Sequence, residues 1–293
     1  HSSSVHSTAR IGVPASSSST MRVATWWWKP HSLSPDRADF MKRAWRRNVT
    51  DAEIDWKMRR FALIRPVCDD FQQAVIETLA TTLSSPRFLY LVQTNRSSTN
   101  VDHALDPFEL STRLSMFLWC SIPDDELLDL AANGRLGEKD ELIRQTERML
   151  ADPRHKRFTK RFVRQWLNMD LLDYLNVDRS VYPEFDSALK EAMQQEPVAF
   201  FEETLRNDRS VIDFIHADYA LVNQRLAQHY GFDDMHGQQF RKVSLKPGDN
   251  RGGLLTQASI HKITANGTTT SPIPRGNFVL ANLLGQPAPP PPA

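Results

Sequence analysis

Apolar and polar positions follow a helical period from about residue 35 onward. Thr50 ahead of Asp51-Ala52-Glu53 is a capping-box pattern that opens a helix toward Leu63. An amphipathic run follows from Asp69 to Leu83. Asp106-Pro107 supplies a cap and a first-turn proline, and Phe108, Leu110, Leu114, Phe117 and Leu118 fall on one stripe. Pro123-Asp124-Asp125-Glu126 starts a further helix that Gly134 ends. Glu138 to Leu150 and Lys156 to Leu167 read as two more. Ser187 to Arg206 is a long helix interrupted at Pro197, which predicts a kink. Ser210 to Ile215 and Asn223 to Tyr230 are shorter helical stretches. Strand signals are sparse: Phe240 to Leu245 alternates weakly, and Tyr219 to Val222 is too short to decide. There is no βαβ rhythm and no fixed repeat.

The two ends of the chain differ from this pattern. Residues 1–32 are Ser-rich and aperiodic, and predict a flexible segment without a packed core. Within it, Trp26-Trp27-Trp28 is costly to leave in water and can dock onto the body. Residues 246–293 crowd Gly, Pro and small hydroxylated residues together without period. Such a segment buries little apolar surface by itself and needs side-chain hydrogen bonds to hold its backbone. The expectation is a mainly α chain: a helical bundle over 33–245 and an irregular Gly/Thr/Pro-rich C-terminal lobe over 246–293.

Composition narrows the partners. Lys plus Arg is 36 and Asp plus Glu is 35, a net charge of +1, which argues against nucleic acid as an obligatory partner. Basic stretches at Lys42–Arg47 and Arg154–Arg164 are local patches or solvated helix faces. No apolar run approaches the ~20 residues of a membrane span. The start has no apolar core of the kind a signal peptide carries. The two cysteines, Cys68 and Cys120, lie outside any C-x-x-C or C-x-x-C-H pattern, so no haem attachment or thiolate zinc site is encoded. One disulfide and two buried thiols both remain open, and no cofactor is expected.

Candidate chemistry falls on three sets of residues. Glu191, Glu196, Glu202 and Glu203 share one helix, and Glu196 sits beside Pro197, where the hydrogen-bond ladder opens. A carboxyl partly buried there has a raised pKa, as a general acid requires. Glu196 with Asp218 can form the carboxylate pair of a glycosidase-like site. The plainer alternative is Glu196 paired with an arginine and Asp218 as a helix cap. Second, Asn266, Thr268, Thr270 and Ser271 beside Arg275 make an array of donors and acceptors for sugar hydroxyls or an anionic group, with Arg275 as a bidentate clamp. Trp119 or Trp166 can add a stacking face. The alternative is a loop that satisfies its own backbone and two core tryptophans. Third, His103, His216 and His261 with Asp218 can reach a metal only through tertiary placement, since no pair has helical i,i+4 spacing; no metal is assigned. Ser187-Ala188-Leu189-Lys190 fits S-x-x-K without its companion motifs and reads as a helix-cap serine. His1 with His6 lacks the β-sandwich setting of a copper brace. No G-x-S-x-G, H-E-x-x-H, P-loop or dinucleotide fingerprint is present.

Longer motifs point to a family. Arg251-Gly252-Gly253-Leu254-Leu255-Thr256, then Thr264-Ala265-Asn266-Gly267-Thr268 through Ser271-Pro272 to Arg275-Gly276 and the polyproline end, form one signature. Upstream stand Arg43-Ala44-Trp45-Arg46-Arg47, Ser85-Pro86-Arg87-Phe88-Leu89-Tyr90, Arg113-Leu114-Ser115-Met116-Phe117-Leu118-Trp119, Gln165-Trp166-Leu167 and Asn223-Gln224-Arg225-Leu226-Ala227. Together they resemble large exported proteins abundant in planctomycetes, which join cytochrome-c-like modules to domains of unknown function. The resemblance spans roughly residues 40 to 293. It implies a periplasmic or extracellular location, and a chain that is a fragment, a mature piece or an unusually started reading frame. Two functions follow. One is a carbohydrate-active hydrolase acting on a polysaccharide or other polymer, with Glu196 and Asp218 as acid and base and the 266–275 loop holding substrate. The other is a non-catalytic binding or scaffold unit that docks a cytochrome-type redox partner.

Overall fold

Polar side chains at the first turns set the element boundaries. The computed structural model describes residues 35–91, 105–174, 176–266 and 268–289. The N-terminal Ser-rich segment, Trp26 to Trp28, His1, His6 and His103 lie outside the described residues. Thr50 Oγ1 accepts from the Glu53 N–H while the Glu53 carboxylate accepts from the Thr50 N–H, the reciprocal box expected there. Asp70, Asp124, Asp186 and Asn223 accept from the third N–H of their helices in the same way. Asp186 therefore caps the helix for which Ser187 was the expected cap.

The helices are α1 Pro35–Trp45, α2 Asp51–Ile64, α3 Phe71–Leu83, α4 Pro86–Leu89, α5 Pro107–Leu118, α6 Asp125–Ala132, α7 Lys139–Ala151, α8 Lys156–Trp166, α9 Leu171–Tyr174, α10 Ser187–Arg206, α11 Gln224–Tyr230, α12 Ala258–Ile263 and α13 Pro272–Phe278. Strands β1 Tyr219–Val222 and β2 Arg241–Ser244 pair antiparallel, with Tyr219 opposite Ser244 and Val222 opposite Arg241. The weak strand signals at these two places are thus partners. The fold is mainly α. Among the described residues no helix is long and apolar enough to cross a membrane.

The chain divides into two compact units. Of the described residues, one comprises those up to Phe117 together with Ser121–Glu147; the other comprises Leu118–Cys120 and those from Arg148 onward. The division anticipated at residue 245/246 therefore falls inside the second unit. In the first unit, small cores form around Phe61, Ala74 and Val75, and around Met41, Ala44 and Trp45. Glu53 accepts from Arg47 and Arg87, whose guanidiniums lie over the Trp45 ring.

The second unit has the larger core. Val163, Leu167, Val198, Phe200, Tyr219, Leu254, Ile260 and Phe278 bury one face of α8, α10, β1 and the C-terminal lobe. Phe200 stacks on Tyr219 with ring centres 5.0 Å apart. Behind them, Leu189, Ala192, Met193, Val222, Leu226 and Ala258 tie α10 to β1, α11 and α12. Leu254, Ile260, Ile263 and Phe278 of the C-terminal lobe thus join the core that α8 and α10 form. Trp166 donates to the Asn282 carbonyl at 2.6 Å, and Asn282 donates back to the Trp166 carbonyl. Trp119 is fully buried and donates to the Met149 carbonyl at 2.9 Å. Trp119 is a core residue and the half-buried Trp166 packs against the core, close to the plainer of the two expectations. Cys68 and Cys120 are free thiols.

Candidate functional site

A cleft of about 530 Å³ opens in the second unit between α10, α11 and the C-terminal lobe. Its floor is apolar: Phe185, Leu189 and Met193, with Ala258 beside them. Its rim is cationic, with Arg251, Lys262 and Arg275 converging on it. Among the described residues these three form no ion pair. Arg251 donates to the Thr256 carbonyl at 3.3 Å. Arg275 donates only to the hydroxyls of Thr264 and Thr270, at 3.3 and 3.0 Å. Lys262 donates to the Asn176 carbonyl at 3.3 Å, and burial holds its pKa below the usual lysine value. Glu184 and Asp249 are the carboxylates in the wall, and Asp249 caps its own turn by accepting from the Lys246 N–H.

The same cations depress two neighbouring histidines. Burial lowers the pKa of His229, and Arg225 and Arg251 lower it further. His261 is lowered by burial and then by Arg275 and Arg251. Both imidazoles line the cleft and are held toward the neutral form.

Local chain geometry explains how Arg251 reaches the cleft. Gly252 and Gly253 have φ of 123° and 80°, in the region that favours glycine. A methyl group on Gly252 would strike the Ala217 carbonyl, and one on Gly253 would lie 2.5 Å from the Ile215 carbonyl oxygen. The absence of side chains lets this segment run against residues 215–217. The Gly252 N–H then donates to Thr256 Oγ1 at 2.9 Å, closing a tight turn. Arg251 is left lying over the Tyr230 ring, 3.6 Å from its centre.

The polar loop is part built and part builder. Thr268, Thr270 and Arg275 line the cleft, as does Thr269. Asn266 and Ser271 stand outside its wall. Asn266 Oδ1 accepts from the N–H and the hydroxyl of both Thr268 and Thr269, at 2.8 to 3.2 Å, so it holds the loop's shape. Tyr182 ties the loop down from the other side by donating to the Thr268 carbonyl at 3.0 Å.

The two carboxylates expected to act together have unlike surroundings. Glu196 is 2 % exposed, within α10. It accepts from the Tyr230 hydroxyl at 2.7 Å, and that hydroxyl accepts from the Ala258 N–H at 2.8 Å. Burial pushes the Glu196 carboxyl up to about 8, against the pull of the Tyr230 hydrogen bond and the Arg251 charge. Burial likewise raises the Tyr230 phenol. The side chain of Asp218 is 88 % exposed and sits 3.9 Å from Arg209. Neither carboxylate lines the cleft. Glu196 faces a space of about 10 Å³ behind Tyr230, which Tyr219, Gln257 and Arg251 also line. Its partner is thus a tyrosine, not an arginine, and Asn223 takes the helix cap considered for Asp218. Among the described residues no cluster of three or more His, Cys, Asp and Glu side chains is placed to hold a metal ion.

Sequence reasoning found Thr268, Thr270 and Arg275 of this cleft and missed Arg251, Lys262, Tyr182 and Tyr230. The one local signal was the pair of glycines after Arg251, which marks a close backbone approach.

Three family models match the chain. Residues 38–93 match PSD5, a protein of unknown function (DUF1595); residues 105–232 match PSD4, a protein of unknown function (DUF1592); and residues 251–293 match PSCyt3, a protein of unknown function (DUF1588). No curated protein and no solved structure matches significantly.

Proposed function

Because the chain belongs to the planctomycete family of cytochrome-c-like and unknown-function domains, we propose that its second unit is a non-catalytic binding unit whose cleft takes an acidic saccharide. The observation that carries this reading is the set of three cations, Arg251, Lys262 and Arg275, on one cleft with hydrogen bonds only to neutral groups. A carboxylate or sulfate is the partner such guanidiniums lack. The hydroxyls of Thr268, Thr269 and Thr270 are of the type that meets sugar hydroxyls, and Phe185 offers an apolar face for a ring. A volume of about 530 Å³ falls within the range of small-molecule sites.

The setting belongs to the same proposal. A periplasmic or extracellular location and a cytochrome-type redox partner both draw support from the family, and the name of the C-terminal match points to a cytochrome context. Calorimetric titration of the full chain with an oligogalacturonate tests the cleft. Arg275→Ala and Arg251→Ala should each weaken binding on the order of tenfold or more. Unchanged affinity in both variants sinks the proposal.

One observation favours a second reading. A carboxyl titrating near 8 is protonated at neutral pH, as a glycosidase acid must be. In that reading Glu196 is the acid and Asp218 the base. It requires Glu196→Gln to abolish release of reducing ends from a polysaccharide while the fold and binding persist. The closed setting of Glu196 and the open setting of Asp218 place this reading second.

A further inference from the structure

We infer that Glu196 is a positioning residue that makes anion binding in the cleft proton-linked, acting through Tyr230 and Arg251. The inference rests on the anion-binding reading of the cleft and concerns how that site is regulated.

Glu196 lies at the hydroxyl end of the Tyr230 ring, joined to it by the 2.7 Å hydrogen bond from the phenol. Arg251 lies over that ring, 3.6 Å from its centre, and borders both the cleft and the small space that Glu196 faces. A buried titratable group at the hydroxyl of Tyr230 and a cation over its ring therefore share one small space, and the cation also borders the cleft. The ring is itself fixed, because its hydroxyl also accepts from the Ala258 N–H.

The surroundings of Glu196 make its charge matter. From α11 it faces Tyr230, from β1 Tyr219, and from the segment before α12 Arg251 and Gln257. Arg209 and Lys242 lie over the Tyr219 ring, 4.6 and 4.2 Å from its centre. Tyr219 Oη and Gln257 Oε1 are buried and have no hydrogen-bond partner among the described residues. A protonated Glu196 offers a donor to a space that holds the acceptor Gln257 Oε1. An ionised Glu196 instead adds a negative charge there, and the cation that borders the same space is Arg251. In a medium of low polarity that charge acts strongly on a cation bordering the same space.

The sign follows. With the proton on, the Arg251 charge is directed to the cleft. With the proton off, Glu196 draws on the same guanidinium and lowers the positive potential at the rim, so an anion binds more weakly. By reciprocity, a bound anion holds the proton on Glu196. The transition belongs near pH 8. His229 and His261 also border the cleft, but their pKa values lie below the usual histidine value and act at more acid pH. Lys262, whose pKa burial also lowers, borders the cleft and is present in every variant below.

The test is calorimetric affinity of the full chain for an oligogalacturonate from pH 6.5 to 9.5. The wild type should lose affinity on the order of tenfold across pH 8. Glu196→Gln should match the wild type at pH 6.5 and keep that affinity to pH 9. Where the glutamine variant fails to fold, Tyr230→Phe keeps the ring under Arg251, removes the phenol link and should displace the transition. A pH profile in Glu196→Gln that superimposes on the wild type overturns the inference alone. No binding at any pH overturns the anion-cleft reading together with it.

Discussion

The Arg251 guanidinium lies over the Tyr230 ring at 3.6 Å, and the next two residues, Gly252 and Gly253, make that placement sterically feasible. A turn at positive φ runs against the 215–217 backbone and leaves the side chain before it on the cleft rim. The motif is therefore a device for aiming one arginine.

Gly252→Ala should be among the most damaging substitutions in the second unit. The new methyl meets the Ala217 carbonyl, and φ of 123° is unfavourable for alanine. A loss of about 2–4 kcal/mol is expected in denaturant unfolding, from backbone strain and the clash together. Wild-type stability in this variant would show that the turn relaxes freely and does not fix Arg251.

Arg275→Ala should separate binding from stability. Its guanidinium touches two threonine hydroxyls and no carboxylate among the described residues, so its removal should cost about 1 kcal/mol or less of stability. Oligogalacturonate affinity should fall far more, on the order of tenfold. A melting loss that accounts for the whole binding loss would make Arg275 a loop brace.

Asn266 should behave in the opposite way. Its side-chain oxygen accepts four hydrogen bonds from Thr268 and Thr269. Asn266→Ala should loosen residues 265–270, seen as faster amide hydrogen exchange, and weaken binding only through that loosening. Asn266→Asp keeps the acceptor and should restore protection. If Asn266→Ala exchanges like the wild type yet binds poorly, the side chain contacts ligand directly.

Glu196 should make stability fall with rising pH. Its carboxyl titrates near 4.5 in the unfolded chain and near 8 when folded. Between those values the folded state holds a proton the unfolded state has released. The stabilising contribution is complete below about pH 4.5, declines through the window and is gone above about pH 8. Each pH unit is worth ~1.4 kcal/mol at most, so a few kcal/mol separate the limits. Unfolding of Glu196→Gln should lack this decline. Parallel stability curves for the two proteins would mean that Glu196 is ionised in the folded state at neutral pH.

Much of the helical architecture was legible, because caps such as Thr50 and Asp106 are local chemistry that the sequence spells out. The β1–β2 pairing was not, since four-residue strands separated by a helix carry no pattern that announces their partner. The C-terminal lobe looked independent because its composition is irregular. Its few apolar side chains, Leu254, Ile260 and Phe278, nonetheless complete the core under α8 and α10. Pro197 drew attention to Glu196 correctly as a buried carboxyl. What sequence could not supply was its partner, because Tyr230 lies 34 residues away and meets it only through packing of α11 on α10. Arg275 was visible as an unpaired charge in a polar loop, whereas Arg251 and Lys262 join it only once the lobe is folded.

The central claim is that the cleft recognises negative charge on a saccharide. The most direct measurement compares the affinity of the wild type for an oligogalacturonate with that for its methyl ester, which keeps the sugar rings and removes the charge. Binding of the acid, weakened on the order of tenfold or more by esterification and by added salt, is the predicted result. Equal affinity for acid and ester, or no binding of either, would contradict it.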